Sequence, residues 1–586
     1  MNKEWSLEAL YKGFEDEAFL SDFQQLKDLI SEFKNYVKNM DKDQGEKEIP
    51  SIINYLEEYT LLSSKLFSYL SLRQSTNTTD SETTALIQNL EELISSISKE
   101  EAIVKKYIAS VDNLEEIIEK EDKLKEYEFL FQEIKIQAAH TLSDEVEEVI
   151  AKMNLSAGSA WSNLQEYLTS ILVVDYNGEE STLPQIRNLA YSPDPNVRKA
   201  AYHAELASYG KINDAVTFAL NNIKSQVNTL SELRGYSSPL DLTLEQSRMK
   251  KETLDAMLIA IKEYLPKFHA YLRRKGELLG HKNGLPWWDL FAPLGESHKT
   301  YTLEEAKEYL VNHFRKFSDD LADMVIEAFE EEWIDFYPRS GKVGGAFCAN
   351  LPFIKQSRVL TNFSGSLSDI ITLAHELGHA YHGLNIQDHL PLNTEYSMPV
   401  AETASTFCES LIMNAAIEDA DKEEKIVLIE SQLQDTTQII CDIYSRFLFE
   451  SAVFEKRKDS FLFSKDLEEL MIETQKEAYG NGLDHNYLHQ YMWINKSHYY
   501  SESLSFYNFP YAFGGLFAKG LYAKYQEEGK DFVPKYKAIL NATTVKSVED
   551  VAKMADIDLT KADFWRQSLQ AVADSIDEFL TMTETM

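Results

Sequence analysis

Apolar residues recur at three- and four-residue spacing along most of the chain, and this pattern predicts α-helices. Residues 86–108 show it clearly, because six apolar side chains would share one helical face there: Leu86, Ile87, Leu90, Leu93, Ile94 and Ile97. No proline occurs between Pro50 and Pro184. Polar runs such as residues 75–84 separate the helices as loops. We therefore predict a helical region from the start to about residue 230, and more helix to about residue 279.

Two segments interrupt the helical period. Residues 281–300 bring glycines and prolines close together, which is typical of irregular structure. Residues 337–365 contain Gly341, Gly344 and Gly345, followed by a run with β-branched residues. We interpret this second segment as extended, forming a hairpin or a backbone open to a ligand. Helical spacing resumes after it and continues to the end of the chain.

The composition limits the functions that the chain can have. Its 58 Lys and Arg against 96 Asp and Glu give a net charge of −38, which disfavours binding to nucleic acid or anionic lipid. The three cysteines are too few for a disulfide framework, and their spacing fits no zinc knuckle. No apolar run approaches the length of a membrane span, and no signal peptide is recognisable. We expect a soluble, cytoplasmic protein.

A short motif in the second half of the chain carries specific chemistry. Residues 375–379 read His-Glu-Leu-Gly-His, an H-E-x-x-H motif within a segment of helical period. His375 and His379 would lie one turn apart on one helical face and could bind one tetrahedral metal ion. Glu376 would lie beside the metal and could deprotonate a water molecule there. Gly378 indicates close packing of another segment. The alternative is a pair of core histidines without a metal.

A catalytic zinc site needs a third protein ligand and one open position. Glu402 lies 23 residues after His379 in a segment that has a helix-start signature, so the chain can return to the metal there. Glu409 follows two turns later on the same face and could brace a ligand histidine. Each glutamate could instead be a solvated helix carboxylate. We interpret His382, His485 and His489 as structural or surface histidines.

Residues 493–522 are rich in groups that can donate hydrogen bonds to a developing oxyanion. They include His498, Tyr507 and Tyr511, although an aromatic stripe also occurs in ordinary protein cores. Gly514 and Gly515 follow, and we interpret them as the flexible point of a lid.

Several of these segments together resemble oligoendopeptidase F, in the thimet oligopeptidase family of zinc metallopeptidases. The resemblance rests on HELGHAYH, on a glutamate within VAETASTF, and on the distal block HYY…SFYNFPYAFG. Residues 197–206, 233–241 and 341–379 also read like that family. The likeness runs from about residue 190 to the end, and the helical N-terminal part is compatible with it. We therefore divide the chain into an N-terminal helical region, 1–190, and a zinc peptidase region, 191–586.

The resemblance implies a fold and a role for each candidate residue. The fold would be mostly α: a two-lobed helical ellipsoid with a deep central substrate channel and a small β-sheet beside the H-E-x-x-H helix. Zinc, one ion per chain, would be held by His375, His379 and Glu402, with Glu376 as the general base. His498 would stabilise the oxyanion with Tyr511 or Tyr507. The strand near Gly344 and Gly345 would pair with the substrate backbone. The role of Glu409, bracing a ligand histidine, rests on its spacing alone.

These observations predict a zinc-dependent metalloendopeptidase that hydrolyses internal bonds of short peptides, with no nucleic-acid or membrane partner. Two alternatives remain. One is a zinc carboxypeptidase-type exopeptidase on a related helical scaffold, which would need a fixed group for the peptide terminus. The other is a non-catalytic helical interaction protein with a vestigial site.

Overall fold

The computed structural model describes residues 3–295 and 299–586. Before the first strand these residues form α1 Glu17–Asn39, α2 Gly45–Thr76, α3 Ser81–Ser95, α4 Ser98–Ser110, α5 Leu114–Lys120, α6 Asp122–Glu126, α7 Glu128–Ala139, α8 Asp144–Asn154 and α9 Gly158–Ser170. Between the second and third strands lie α10 Leu183–Asn188, α11 Pro195–Tyr209, α12 Asn213–Leu233, α13 Pro239–Gln246, α14 Lys251–Leu278, α15 Leu303–Phe317 and α16 Asp319–Glu330. After the last strand follow α17 Leu367–Ile386, α18 Met398–Ala401, α19 Thr403–Asp419, α20 Lys422–Thr437, α21 Ile443–Asp459, α22 Ser464–Tyr479, α23 Phe509–Glu528, α24 Val533–Ala542, α25 Val548–Lys553 and α26 Ala562–Thr583.

Strands occupy little of the chain, so the prediction of a mostly α fold is confirmed. β1 (Val173–Tyr176) and β2 (Glu179–Thr182) form an antiparallel hairpin. The sequence-based prediction of continuous helix to about residue 230 is wrong here. The helical pattern is interrupted by a turn at Asn177 and Gly178, whose φ angles are both positive, at 57° and 85°. An Asn-Gly pair favours such tight hairpin turns.

The second sheet is the small one predicted beside the H-E-x-x-H helix. Its strands are β3 (Ile334–Asp335), β4 (Phe347–Leu351) and β5 (Gln356–Leu360), in the order β3-β5-β4. β5 is parallel to β3 and antiparallel to β4. β4 is therefore an edge strand. The hairpin turn lies between β4 and β5. The glycines from which the sequence predicted a hairpin lie before β4 and not in this turn. Residues 296–298 of the predicted irregular segment lie outside the described residues.

Buried apolar side chains form two clusters, one in each part of the chain. The first is built from residues 10–134, and the second extends from residue 172 to residue 579. The small sheet joins them, since Leu351 of β4 belongs to the first cluster and Val359 of β5 to the second. The boundary at residues 190 and 191 stays a prediction.

A cleft of about 720 Å³ lies where the early helices meet the later part of the chain. Its walls include Glu133, Glu147 and Arg234 on one side and Tyr396 and Ser397 on another. The Arg234 guanidinium donates to both carboxylate oxygens of Glu147, at 2.6 and 2.8 Å. Of the helices in residues 3–295 and 299–586, none combines the length and apolar character that a membrane crossing requires.

Candidate metal centre

The H-E-x-x-H motif lies in the middle of α17, a helix with a well-defined start. The Ser366 hydroxyl accepts a hydrogen bond from the backbone N–H of Asp369, and the Asp369 carboxylate accepts one from the N–H of Ser366. This reciprocal capping fixes the first turn of the helix. Two turns further on, the rings of His375 and His379 lie with their centroids 5.1 Å apart. The helix therefore places both imidazoles on one face.

Glu402 approaches both histidines from a break in the helical backbone between α18 and α19. Its Oε2 atom lies 3.2 Å from Nε2 of His375 and 3.2 Å from Nε2 of His379. Among the described residues, these three form a group of side chains whose donor atoms all lie within 4.8 Å of one another. Tetrahedral zinc at about 2.0–2.1 Å from its ligands separates those ligands by roughly 3.3 Å. The observed spacing fits such an ion.

The packing of α17 against α19 depends on Gly378, as its place in the motif indicated. A Cβ atom at this position would lie 2.6 Å from the backbone oxygen of Ala404 and 2.6 Å from the Cα of Ser405. The backbone of α19 therefore occupies the space that a side chain would take. This contact holds the start of α19, and with it Glu402, against the two histidines.

Three further hydrogen bonds orient the candidate ligands. Nδ1 of His375 lies 3.2 Å from Oε2 of Glu409, so Glu409 can fix the tautomer that leaves Nε2 free for a metal. The Ser405 hydroxyl donates to Oε2 of Glu402 at 2.6 Å. The Asn350 amide of β4 donates to the backbone oxygen of His379 at 3.2 Å. Sequence reasoning missed Ser405 and Asn350; the spacing of Ser405, three residues after Glu402, was the available signal.

The charges around His375 favour a bound cation. Burial disfavours its imidazolium, but hydrogen bonds to Glu402 and Glu409 outweigh burial and raise its pKa to about 10. For Glu402, burial favours the neutral acid, yet the hydrogen bonds with His375 and His379 hold its pKa well below the usual range. The His375 and Glu402 side chains remain 29% and 40% exposed. The carboxylates of the cluster thus favour positive charge at His375, and the cluster is open to solvent on one side, as a catalytic metal site requires.

Glu376 is buried on α17 beside the three candidate ligands. Burial raises the pKa of its carboxyl, although the charges of His375 and His379 partly oppose this. Within residues 3–295 and 299–586, no side chain or backbone group forms a hydrogen bond with its carboxylate. A carboxylate with a raised pKa and no protein partner is a suitable base for a water molecule in the site.

The distal aromatic residues come together, and one of them lies near Glu402. The His498 ring centroid is 4.5 Å from that of Tyr507 and 6.1 Å from that of Tyr511. Burial, a hydrogen bond with Tyr507 and the charge of Glu402 all raise the pKa of Tyr511. Its phenol therefore stays protonated and can donate a hydrogen bond. Burial lowers the pKa of His498, and nearby cationic side chains lower it further.

The interpretation of Gly514 and Gly515 as a flexible lid is wrong. Both lie buried within α23, the helix that begins just before Tyr511. A Cβ at Gly514 would lie 3.3 Å from the backbone oxygen of Pro399 and 3.4 Å from Cβ of Glu402. Gly514 allows α23 to pack closely against α18 and the Glu402 turn, and Gly515 allows it to pack against Ile439. Their role in the fold is close packing, and it brings Tyr511 to the metal centre.

Gly344 and Gly345 lie in the loop that leads into the edge strand β4. A Cβ at either position would have no atom within 4 Å, so this backbone is open on the side where a side chain would project. Gly345 has a φ of +78°, and its carbonyl accepts a hydrogen bond from the Asn362 amide at 2.8 Å. The structure therefore places both glycines next to an unpaired strand edge, without showing a ligand there.

The other histidines have structural contacts. His382 is fully buried, stacks on Tyr396 with ring centroids 4.3 Å apart and bonds to the Thr543 hydroxyl at 2.8 Å. His489 is buried, and Nε2 of its ring lies 3.4 Å from Glu205. His485 is exposed and bonds to the backbone oxygen of Gly480.

Comparison with known proteins adds family membership to this geometry. Residues 188–571 match the family model described as Peptidase family M3. The chain belongs to peptidase family M3. Residues 109–172 match a second family model, described as Oligopeptidase F. The chain is therefore a peptidase, and the resemblance to oligoendopeptidase F is confirmed.

Relatives of the chain cover most of its length. Oligopeptidase PepF of Bacillus subtilis is 24% identical over 586 residues, covering 98% of this chain and 86% of its own length. An oligoendopeptidase F homolog of Lactococcus lactis subsp. lactis is 24% identical over 480 residues, covering 79% of this chain and 78% of its own length.

Solved structures share the M3 fold seen here. A crystal structure from Chlamydophila abortus has a TM-score of 0.84 at 20% identity, covering 99% of this chain and 98% of that one. Oligoendopeptidase-F from Enterococcus faecium has a TM-score of 0.73 at 20% identity, covering 97% and 99%. At this identity the likeness shows the fold alone.

Proposed function

We propose that the chain is a zinc-dependent metalloendopeptidase that hydrolyses internal bonds of short oligopeptides. The observation that carries the proposal is the convergence of His375, His379 and Glu402. The Nε2 atom of each histidine lies 3.2 Å from Oε2 of Glu402. Membership in peptidase family M3 and relatives named oligoendopeptidase F support the activity and the substrate class. We further propose that the enzyme acts in the cytoplasm, without nucleic-acid or membrane partners, as its net charge of −38 favours.

His375 and His379 through Nε2, and Glu402 through its carboxylate, would hold one zinc ion. Two imidazoles and a carboxylate form a donor set that zinc peptidases use, and it leaves a further position for water or substrate. Zinc bound there would supply a Lewis acid that makes water more acidic and polarises a peptide carbonyl. Glu409 would keep His375 in the required tautomer, and Ser405 would hold the Glu402 carboxylate in place.

Glu376 would act as the general base and then as the general acid. It accepts a proton from the water that attacks the scissile carbonyl carbon. It later donates that proton to the amine that leaves when the C–N bond breaks. Its burial raises the pKa of the carboxyl above the ordinary value, which makes its carboxylate a better base.

His498 and Tyr511 would donate hydrogen bonds to the oxyanion that develops on the scissile carbonyl oxygen. Such donors stabilise the transition state most when they are already in place. The ring contacts among His498, Tyr507 and Tyr511 hold this group together. Since the charge of Glu402 contributes to the raised pKa of Tyr511, that tyrosine is the stronger candidate and Tyr507 its support.

The substrate backbone would pair with the open edge of β4. An edge strand has unpaired N–H and C=O groups that can bind an extended peptide. The open backbone at Gly344 and Gly345 lets a peptide approach without a steric barrier. Burial and the charge of Glu376 raise the pKa of the Cys348 thiol in β4, so this strand lies close to the proposed base. A peptide along β4 would therefore pass the metal centre.

The proposal is tested with a ten-residue peptide blocked at both ends, whose fragments are identified by mass spectrometry. We expect internal cleavage by the protein as purified, loss of cleavage after chelation and recovery after zinc addition. His379→Ala should lose zinc and activity, whereas His485→Ala, an exposed histidine away from the site, should keep both.

Two outcomes would contradict the proposal. Zinc-loaded protein that trims only free-ended peptides would be an exopeptidase of the carboxypeptidase type. Zinc-loaded protein that cleaves neither kind of peptide would be a non-catalytic interaction protein.

A further inference from the structure

A second cavity, of about 270 Å³, is lined in part by Lys496, which lies two residues before His498. We call it the side cavity. It is enclosed between α10, α11, the segments 287–291 and 489–496, and the start of a π-helical turn at residues 438–442. Short π-helical segments occur frequently at functional sites. The residues of its wall that matter here are Arg187, Tyr191, Tyr202, Trp287, Gln438 and Lys496.

Lys496 lies close to the candidate oxyanion donors, because its charge, after burial and the charge of Arg446, lowers the pKa of His498. The packing of α23 also relates the cavity wall to the metal site. A Cβ at Gly514 would lie 3.4 Å from Cβ of Glu402, and a Cβ at Gly515 would lie 3.0 Å from Cγ2 of Ile439. Ile439 directly follows Gln438 in the cavity wall. Adding these contacts to the spacing of neighbouring residues places Ile439 within about 12 Å of Glu402. An extended peptide covers this distance with about three to five residues.

The cationic groups of the wall are paired, with one exception. Arg187 bonds to Glu205 at 3.1 Å, and Arg198 bonds to Asp289 at 2.7 Å. The ammonium group of Lys496 forms no hydrogen bond or ion pair with any residue in 3–295 or 299–586. The side cavity therefore contains an ammonium group with no direct ionic partner among these residues, in a chain whose net charge is −38.

The surroundings of Lys496 make its charge costly unless an anion binds. Burial and then Arg446 lower its pKa to about 8. Asp442 and Glu205, the acids that oppose this shift, are each already engaged, by Arg446 and Arg187. A half-buried ammonium gains more from an ionic partner than one at the surface does. Aromatic side chains elsewhere in the wall can cover the apolar part of a bound residue.

We propose that the side cavity binds a carboxylate of the peptide substrate through Lys496, about three to five residues from the scissile bond. The carboxylate can belong to an Asp or Glu side chain or to the C-terminus of the peptide. Tyr191, Tyr202 and Trp287 would pack against the aliphatic part of the same residue. This inference rests on the proposed peptidase function and gives it a substrate preference.

The test uses three sets of matched peptides and the full-length, zinc-loaded protein. In the first set, a peptide with Glu is compared with the same peptide carrying Gln. The substituted position lies three, four or five residues before or after the cleaved bond. In the second a free C-terminus is compared with an amidated one. The third is a neutral peptide blocked at both ends. The measured quantity is the ratio of kcat/KM for the acidic peptide to that for its neutral partner.

For the wild type we expect a ratio of about ten or more at one position, as one charged hydrogen bond would give. Lys496→Met should bring that ratio close to one, and Lys496→Arg should keep it well above one. Lys476→Met removes the same charge from an exposed site on α22 and should leave the ratio unchanged. The set that shows the preference distinguishes a side-chain carboxylate from a C-terminal one.

Because the readout is a ratio within each variant, a general loss of activity in Lys496→Met does not alter it. Equal rates for acidic and neutral peptides in the wild type would overturn this inference. A preference that survives in Lys496→Met would overturn it too. If the neutral blocked peptide is cleaved in either case, the proposed peptidase function still stands. If the zinc-loaded protein cleaves no peptide, both proposals fail.

Discussion

Replacing Gly378 with alanine tests how closely the fold and the metal centre depend on each other. The added Cβ would lie 2.6 Å from the backbone oxygen of Ala404 and from the Cα of Ser405. Ordinary contacts of this kind need about 3.4 Å or more, so α17 and α19 must separate by roughly 0.8 Å. Overpacking of this size costs about 1–3 kcal/mol, and the higher helix propensity of alanine offsets about 1 kcal/mol of that.

The separation acts directly on the candidate ligands. His375 and His379 belong to α17, whereas Glu402 directly precedes α19. Metal–ligand distances vary by only about 0.2 Å in well-formed sites, so a shift of about 0.8 Å weakens binding. We expect the zinc affinity of Gly378→Ala to fall by about 10–100-fold.

The assay is an equilibrium zinc titration against a competing chelator, with thermal unfolding of the metal-free protein measured in parallel. Gly210→Ala is the matched control, because its Cβ would meet only the backbone oxygen of Ala207, at 3.7 Å. Its zinc affinity should equal that of the wild type. A folded Gly378→Ala protein that binds zinc within about twofold of the wild-type affinity would show that the contact between α17 and α19 does not position the zinc ligands.

Three further changes have defined outcomes. Ser405→Ala removes the 2.6 Å hydrogen bond to Glu402, and zinc affinity in the same titration should fall about fivefold; an unchanged affinity would show that Glu402 needs no such support. Tyr511→Phe should lower kcat by about 10²–10³-fold with little change in KM, and Tyr507→Phe should lower kcat less. A larger loss of kcat in Tyr507→Phe, measured by steady-state kinetics, would exchange the roles of the two tyrosines. Burial raises the pKa of Glu205, but His489 and Arg187 outweigh it and lower the pKa to about 2. The ionised form of Glu205 therefore stabilises the fold above pH 4.5, and this stabilisation is lost as pH falls toward 2. The free energy of unfolding of Glu205→Gln, measured in urea, should depend less on pH between 5 and 3 than that of the wild type.

The elements that the sequence predicted correctly are those fixed by local geometry. Two histidines four residues apart share a face in any α-helix, so His375 and His379 needed no tertiary information. A glycine inside that motif already indicated a neighbouring backbone, and α19 occupies that position. The helical period likewise identified most of the helices, because burial of one face imposes it.

The features that the sequence did not predict depend on contacts between distant segments. Asn350 reaches the backbone of His379 only because β4 packs on α17. Gly514 and Gly515 have the composition of a flexible point, yet they allow close helix packing, which the local sequence does not distinguish. The hairpin at β1 and β2 was missed for a different reason: its Asn177–Gly178 signal is local, but it interrupts a long helical pattern.

We propose that Glu376 moves the proton while other residues hold the metal. Zinc content and internal cleavage of the end-blocked peptide, measured on the same sample of Glu376→Gln, test this division of roles. We expect one zinc ion per chain with unchanged affinity, and cleavage reduced by about 10²–10⁴-fold or more. Cleavage by Glu376→Gln at close to the wild-type rate, with zinc bound, would contradict it.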